Sequence, residues 1–260
     1  MKFAKALSLP AEWSAGLRQG VLLGAAVLVM TLPPAGLATS RPAAGRTPAA
    51  TATAALSERV PRIADFRDHA ASADARFIAN WVAHSQDNRH LPFVILDKRD
   101  ARVFVFDSGG MLLDSSPVLL GAAAGDDSVA GIGKRPIAQV QPEERTTPAG
   151  RFISQPGRNA SGEDVVWVDY DAAVSMHRVR PVDPKERRLE RLASNDPAQR
   201  RISYGCINVP VAFFDAVIKP VLGARRAVVY ALPEAKDVHQ VFAGAYPVEA
   251  SSTRMSSAQM

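Results

Sequence analysis

Three short apolar runs between positions 92 and 113 constrain the fold more strongly than any other part of the sequence. The runs alternate with two turns, in the order 92–97, 98–100, 102–107, 108–110 and 111–113. Valine, isoleucine and phenylalanine dominate the first two runs, and β-branched and aromatic residues favour strands. Aspartate, serine and glycine are frequent in the turns, where they support tight backbone bends. The pattern predicts a three-stranded meander.

Further strands are predicted along the chain, whereas helices are few. The strand segments are 151–154, 165–168, 172–176 and 227–231. An apolar stripe at helical spacing follows Ser72 and consists of Phe77, Ile78, Trp81 and Val82. A second helix is predicted from Pro210, because proline suits the first helical turn. Strands and helices do not alternate, so we predict a mostly β fold, a β-sandwich with flanking helices, and not a doubly wound parallel sheet.

The two ends of the chain differ in composition from its middle. Two lysines near the start precede an apolar run at 21–32, and prolines and small residues follow it. This order is typical of a secretory signal. We predict a signal peptide over 1–38, with an uncleaved anchor as the alternative, and therefore export to the periplasm or cell envelope. The predicted remainder is an Ala/Pro/Thr-rich linker over 39–59, a catalytic domain over 60–246 and a flexible tail over 247–260.

The charge of the chain favours an anionic partner. The formal net charge is +5 and the pI is about 9.6. A lipid surface or an acidic wall polymer fits this balance. We exclude nucleic acid, because no basic stripe is interleaved with aromatic residues and no zinc-finger spacing occurs.

Cys206 is the single cysteine of the chain, so neither an intrachain disulfide nor a cysteine-based metal cluster can form. A thiol attacks a carbonyl as the thiolate, and a nearby imidazole can take its proton. Among the five histidines, His177 is the best base, because it ends the predicted strand at 172–176. Read alone, the two residues also fit an inert buried thiol and a structural histidine, and spacing alone does not pair them.

Three segments form a pattern that the single residues do not. They are TTPAGRF at 146–152, Met176 with His177, and SYGCIN at 203–208. In this order they resemble the T-P-x-G-x-F segment, the histidine strand and the S-x-G-C-[IV]-[NR] nucleophile motif of the L,D-transpeptidase (YkuD-type) catalytic domain family. The resemblance covers about residues 92–232.

The resemblance implies a sandwich-like catalytic fold and acyl transfer on peptidoglycan stem peptides. Cys206 would attack the carbonyl of the third stem residue, D-alanine would leave, and an amine would resolve the thioester. That amine would be another diamino acid, a lipoprotein lysine or a free D-amino acid. No metal or organic cofactor is implied, and we expect a monomer.

The same resemblance assigns roles to the motif residues. His177 would take the thiol proton and return it to the leaving amine. Ser203 would orient the site by hydrogen bonding. Asn208 would bind substrate or hold the loop, and a polar residue ahead of a helix at Pro210 is the open alternative. The expected oxyanion donors are the N–H groups of Tyr204, Gly205 and Cys206.

The chain also departs from the family's pattern. Glycine often follows the family's histidine, whereas this chain has Arg178, which we expect to bind substrate; histidine often precedes the Gly-Cys pair, whereas this chain has Tyr204. The segment 178–201 is longer than usual, and its eight Lys or Arg against four Asp or Glu leave a charge of +4. Asp183 before Pro184 predicts a helix start there. We hypothesise a basic flap that gathers stem-peptide carboxylates, with a solvated helix and loop as the alternative.

Two other functions fit the same residues. A hydrolase on this scaffold would act as an L,D-carboxypeptidase or cleave a crosslink or lipoprotein link. A non-catalytic wall-binding module would keep the fold, although the intact Cys206 and His177 argue against it. Transfer differs from hydrolysis in how well the site excludes water, and sequence does not report that property.

Overall fold

The structure is a computed structural model and describes residues 62–248. The predicted signal peptide over 1–38, the predicted linker over 39–59 and most of the predicted tail over 247–260 lie outside the described residues. Within 62–248, no helix is both long enough and apolar enough to cross a membrane.

The described residues form ten strands, four helices and several short 3-10 turns. The strands are β1 Phe93–Asp97, β2 Arg102–Phe106, β3 Leu112–Pro117, β4 Leu120–Gly121, β5 Gly150–Arg158, β6 Asp164–Asp169, β7 Val174–Arg178, β8 Arg201–Ser203, β9 Ile207–Val209 and β10 Ala227–Ala231. The helices are α1 Ala73–Ser85, α2 Arg188–Ala193, α3 and α4 Val238–Val241. Helix α3 is continuous and consists of the α-helical Val211–Phe213, the π-helical Phe214–Ile218 and the α-helical Lys219–Val221. The 3-10 turns are Ile132–Lys134, Ile137–Gln139, Pro142–Glu144, Pro184–Glu186 and Pro197–Arg200.

Eight of the strands form one sheet in the order β3-β2-β1-β10-β5-β6-β7-β9, and β4 pairs with β8 in a small second sheet. The antiparallel pairs β1–β2 and β2–β3 confirm the predicted meander. The other four predicted strands correspond to β5, β6, β7 and β10. In the large sheet, two parallel pairs, β1–β10 and β7–β9, join strands that are not adjacent in sequence.

The large sheet is buried on both faces. Side chains alternate along β1, so that Val94 belongs to one apolar core and Phe93 to the other. The core around Val94 also contains Met176 and Val209 from the opposite end of the sheet, together with α3. The sheet therefore curves until its two halves enclose a shared core. The prediction of a mostly β, sandwich-like fold is confirmed.

Helix α1 covers the second core, as its sequence predicts. The Ser72 hydroxyl accepts a hydrogen bond from the Ala75 N–H at 3.1 Å and caps the first turn. Ile78 and Val82 have no exposed surface and pack against the β1–β10 half of the sheet. The helix ends at Gln86, whose backbone is left-handed. This packing leaves the opposite end of the sheet, at β7 and β9, to form the site.

Candidate active site

The parallel pairing of β7 with β9 brings the motif residues together. In this register His177 lies beside Asn208, and Met176 lies beside Ile207. Cys206 comes directly before β9 and lies next to Ser175 of β7. Parallel neighbours require a crossover connection of a dozen residues or more. The unusually long segment between His177 and Cys206 provides that crossover.

The surroundings of Cys206 favour its thiolate. The sulfur is partly exposed and lies 3.7 Å from the Ser175 hydroxyl, which can donate a hydrogen bond to a thiolate. In the thiol form, the S–H donates to the Ala173 carbonyl oxygen at 3.6 Å. Burial by itself raises the pKa of the Cys206 thiol, but hydrogen bonding to His177, the charge of that imidazole and hydrogen bonds from Ser175 outweigh it and lower the pKa. A lowered pKa is the usual mark of a reactive cysteine.

The backbone holds the His177 ring in one tautomer. Its Nδ1 lies 2.8 Å from the carbonyl oxygen of Arg178. A carbonyl only accepts hydrogen bonds, so Nδ1 carries the hydrogen and Nε2 is left with the lone pair. Nε2 is therefore the ring nitrogen that can take a proton, and the Asn208 Nδ2 lies 3.2 Å from it.

Ser203 organises the turn that carries the sulfur. Its hydroxyl accepts a hydrogen bond from the Gly205 N–H at 3.1 Å and donates one to the Cys206 carbonyl at 2.6 Å. These hydrogen bonds are compatible with the orienting role expected for Ser203, which stays a prediction. The first of them engages the Gly205 N–H, which is therefore not available as the oxyanion donor we expected. Among the described residues, the N–H groups of Tyr204 and Cys206 donate to no protein acceptor.

Gly205 is required by the geometry of this turn. Its φ is +123°, and a Cβ there would lie 2.7 Å from the Thr146 carbonyl oxygen. The Thr147 hydroxyl also donates to the Gly205 carbonyl at 2.9 Å. The TTPAGRF and SYGCIN segments of the sequence are therefore in direct contact.

We expect Gly205→Ala to lower the free energy of unfolding by about 2–3 kcal/mol, because it adds a steric clash to an unfavourable φ. Urea unfolding measures this cost, and the rate of Cys206 alkylation reports whether the turn is displaced. Gly162→Ala is the matched control, because Gly162 also has a positive φ of +79° but no atom within 4 Å of its Cβ position. Equal costs for the two variants would show that the contact with Thr146 is unimportant.

A cavity of about 320 Å³ surrounds the sulfur. The motif contributes His177, Ser203, Tyr204, Cys206 and Asn208 to its wall. The crossover contributes Arg180, Val182, Glu186 and Arg188, and the segment between β4 and β5 contributes Ile137. The predicted flap segment thus borders the site, and it forms the turn Pro184–Glu186 and helix α2. Its role in gathering carboxylates stays a prediction.

The structure does not bring Arg178 into this cavity. Consecutive side chains of a strand point to opposite faces, so Arg178 points away from the side taken by His177. Its guanidinium donates to Asp215 at 3.0 Å from Nε and lies 4.2 Å from the centre of the Phe214 ring. Arg178 therefore anchors α3 to β7, and the substrate-binding role expected for it has no support in this position.

Asn208 and Tyr204 occupy different parts of the site. Asn208 lies inside β9 and not at a helix start, so that alternative is wrong; its side chain is fully buried and contacts His177. Tyr204 is 36% exposed, and the Arg145 guanidinium stacks 4.0 Å from the centre of its ring. Tyr204 is the more accessible of the two to a ligand.

Sequence reasoning missed Ser175 and Arg188. Ser175 stands two positions before His177 and therefore points to the same face of β7, a spacing that could have identified it. Arg188 was one of eight basic residues in the crossover. Nothing in the sequence singles it out from the other seven.

No protein-family model and no curated protein sequence matches this chain. Similar solved structures include the helical cell shape determining protein Pgp2 from Campylobacter jejuni, with 15% identity and a TM-score of 0.37 over 60% of this chain and 55% of that one. They also include an Enterococcus faecium L,D-transpeptidase catalytic domain, with 17% identity and a TM-score of 0.30 over 55% and 98% of the two chains. A third is an L,D-transpeptidase from Mycobacterium smegmatis, with 15% identity and a TM-score of 0.32 over 54% and 58%.

The matches include the family that the sequence motifs resemble. The chain spans little more than half the length of Pgp2 and of the mycobacterial enzyme. At these identities and TM-scores the inference about activity rests on the site itself.

Proposed function

We propose that this protein is a cysteine-dependent L,D-transpeptidase that transfers acyl groups between peptidoglycan stem peptides. The observation that carries the proposal is the pairing at one cavity of a thiol of lowered pKa, Cys206, with an imidazole, His177, whose Nε2 carries the lone pair. The motif resemblance at 146–152, His177 and 203–208 supports the choice of substrate class. Export through the predicted signal over 1–38 is part of the same proposal.

The proposed reaction has two acyl transfers. In the first, Cys206 Sγ attacks the carbonyl of the third stem residue while His177 Nε2 takes the thiol proton. The bond to the terminal D-alanine breaks, and His177 gives the proton to the leaving amine. In the second, an amine attacks the thioester, His177 takes its proton, and the thiol is restored. The product is an amide to the new amine.

In this proposal the N–H group of Cys206 acts as an oxyanion donor. It belongs to the residue that carries the attacking sulfur, and among the described residues it has no acceptor. Backbone donors of this kind stabilise the tetrahedral intermediate without reorganising during the reaction. The Tyr204 N–H is the second free donor of the turn. Of the three N–H groups expected as oxyanion donors, the proposal therefore keeps those of Tyr204 and Cys206 and drops that of Gly205.

Positive charge on the cavity wall suits an anionic stem peptide. The Arg180 side chain is 44% exposed there and pairs with Glu163 at 3.3 Å. Exposed ion pairs contribute little stability, so a substrate carboxylate can compete for Arg180. The crossover therefore supplies at least one cation within reach of a bound peptide.

The proposal is tested by incubating the purified protein with a disaccharide tetrapeptide and reading the products by mass spectrometry. We expect loss of D-alanine with formation of a crosslinked dimer, or exchange when a free D-amino acid is added. Cys206→Ala abolishes both. A tripeptide as the sole product would identify the hydrolase alternative, and an unchanged tetrapeptide would contradict the proposal.

Alkylation of Cys206 as a function of pH separates an enzyme from a wall-binding module. For the enzyme we expect the thiol to titrate below about 8.5, the value of a free cysteine. A thiol that titrates at or above that value would favour the binding module. The measurement needs no peptidoglycan substrate.

A further inference from the structure

A chain of hydrogen bonds runs from the crossover to His177. The Arg188 Nη1 donates to the Asn208 Oδ1 at 2.6 Å. The Asn208 Nδ2 lies 3.2 Å from the His177 Nε2 and donates to the Cys206 carbonyl oxygen at 3.4 Å. The His177 Nδ1 contacts the Arg178 carbonyl oxygen at 2.8 Å. The catalytic histidine is thus linked to a residue that the nucleophile motif does not contain.

The direction of this chain is fixed at both ends. A guanidinium only donates hydrogen bonds, so the atom of Asn208 that faces Arg188 is its oxygen. The Asn208 nitrogen then faces the Cys206 carbonyl and His177 Nε2. At the far end, the Arg178 carbonyl only accepts, so Nδ1 of the ring carries the hydrogen. Both constraints assign the lone pair of His177 to Nε2.

We propose that Arg188 is a positioning residue for His177: it fixes the orientation of the Asn208 amide and thereby holds the imidazole in the tautomer whose Nε2 can accept a proton. The catalytic consequence rests on the proposed function, because that function makes His177 the base. The effect of Arg188 on the tautomer of His177 does not depend on the proposed function.

The surroundings of Arg188 fit a positioning role better than a substrate contact. Its Nε and Nη2 donate to the Glu186 carboxylate at 2.5 and 3.3 Å, and only 13% of its side chain is exposed. Three of its nitrogens are therefore occupied by protein acceptors. Arg187, the next residue, extends into solvent and pairs with Glu190. The two neighbouring arginines thus have different surroundings.

Removal of Arg188 would release the orientation of Asn208. The Asn208 side chain is fully buried, and its oxygen would lose its partner. A buried amide oxygen without a donor is costly. Rotation of the amide would turn that oxygen toward Nε2 and favour the tautomer with the hydrogen on Nε2. His177 would then have no lone pair on Nε2 with which to take the thiol proton.

Nitrogen NMR of protein labelled at histidine tests this directly, because protonated and unprotonated ring nitrogens have distinct chemical shifts. The His177 signals are assigned by their loss in His177→Gln. We expect hydrogen on Nδ1 in the wild-type protein and a shift of population toward Nε2–H in Arg188→Met. Arg188→Lys keeps a donor and should retain the wild-type tautomer, and Arg187→Met, the matched control, should leave it unchanged.

Asn208→Asp tests the same link without removing Arg188. A carboxylate only accepts, so it presents an acceptor to Nε2 and should place a hydrogen there. Retention of the unprotonated Nε2 in both Arg188→Met and Asn208→Asp would overturn the proposal. If Arg188→Met does not fold, retention of the unprotonated Nε2 in Asn208→Asp alone would overturn the proposal, because Arg188 acts on His177 through Asn208.

The rate of Cys206 alkylation gives the chemical consequence. Misplacement of a catalytic group costs up to about 10²-fold in rate. We expect a loss of this order in Arg188→Met and a near wild-type rate in Arg187→Met. If the tautomer shifts as expected but the tetrapeptide is never turned over, the positioning role stands and the proposed substrate fails. If the tautomer is unchanged in both variants while the wild-type protein transfers acyl groups, the proposed function stands and the positioning role fails.

Discussion

Replacement of His177 by glutamine is expected to slow the acylation of Cys206 by about 10²- to 10⁴-fold, the usual contribution of a general base. Glutamine fills much of the same space but takes no proton from the thiol. The pKa of Cys206 should also rise, because hydrogen bonding to His177 and the charge of its ring contribute to lowering it against the effect of burial. The rate of Cys206 acylation by a small activated ester measures the first effect, and the rate of alkylation by a small electrophile, followed over pH, measures the second. Neither measurement needs a natural substrate.

The pH dependence has a definite sign. Because the pKa of the wild-type thiol is lowered, the thiolate persists to lower pH than in a free cysteine. The alkylation rate of His177→Gln should therefore rise at higher pH than that of the wild type. His84→Gln is the control, because His84 lies on α1 and contacts Tyr246 on the surface, 3.2 Å away. A His177→Gln profile that coincides with the wild type would remove His177 from the mechanism.

The parts of the site that could be predicted from the sequence are those formed by residues close together in the chain. Ser203, Gly205 and Cys206 lie in one turn, so their spacing already fixes their mutual geometry. The same reason explains the meander, where each turn lies between the strands it joins. Local patterns of this kind are readable because sequence neighbours remain neighbours in space.

The parts that the sequence could not predict depend on non-local pairing. Whether β9 pairs with β7 is decided by the whole sheet, and that pairing places Asn208 beside His177. Arg178 and Arg188 illustrate the consequence. Arg178 adjoins the histidine in sequence but points to the opposite face, whereas Arg188 is ten positions further on and reaches the site. Alternation along β7 could have placed Arg178 on the face opposite His177. The contact of Arg188 with Asn208 depends on how the crossover packs on β9, which composition does not contain.

Replacement of Asp126 by asparagine is expected to lower the free energy of unfolding by about 3–5 kcal/mol, because it removes one partner of a buried ion pair. Asp126 lies 2.7 Å from the Lys98 Nζ, and both side chains are almost fully buried. Its carboxylate also accepts hydrogen bonds from the backbone N–H groups of residues 234–236. All of these partners are donors, so the NH₂ group of an asparagine would face another donor. Urea unfolding at neutral pH measures the loss.

Asp127→Asn is the matched control for this prediction. Asp127 is the next residue, its side chain is 75% exposed, and it pairs with Lys236 at 2.6 Å. An exposed pair contributes at most about 1 kcal/mol. If the two substitutions cost the same, burial of the Lys98–Asp126 pair has no special importance for stability.

The pH dependence of stability gives a second, independent test of the contribution of the Lys98–Asp126 pair. Burial by itself raises the pKa of Asp126, but hydrogen bonds from Lys98 and the backbone lower it to about 2. The folded pKa lies below the unfolded value of about 3.9, so the contribution is complete above about pH 4 and is lost as the pH falls toward 2. The difference between the wild type and Asp126→Asn should therefore shrink by about 2 kcal/mol over this range.

The same pair connects stability to the site. The Lys98 Nζ also donates to the carbonyl oxygens of Gly125 at 2.6 Å and Thr147 at 2.8 Å, near the two ends of the segment that carries Ile137 into the cavity. Thr147 in turn donates to the Gly205 carbonyl beside Cys206. Under conditions where Asp126→Asn remains folded, we expect slower alkylation of Cys206 than in Asp127→Asn. Equal alkylation rates would show that the buried pair stabilises the fold but has no effect on the turn that carries Cys206.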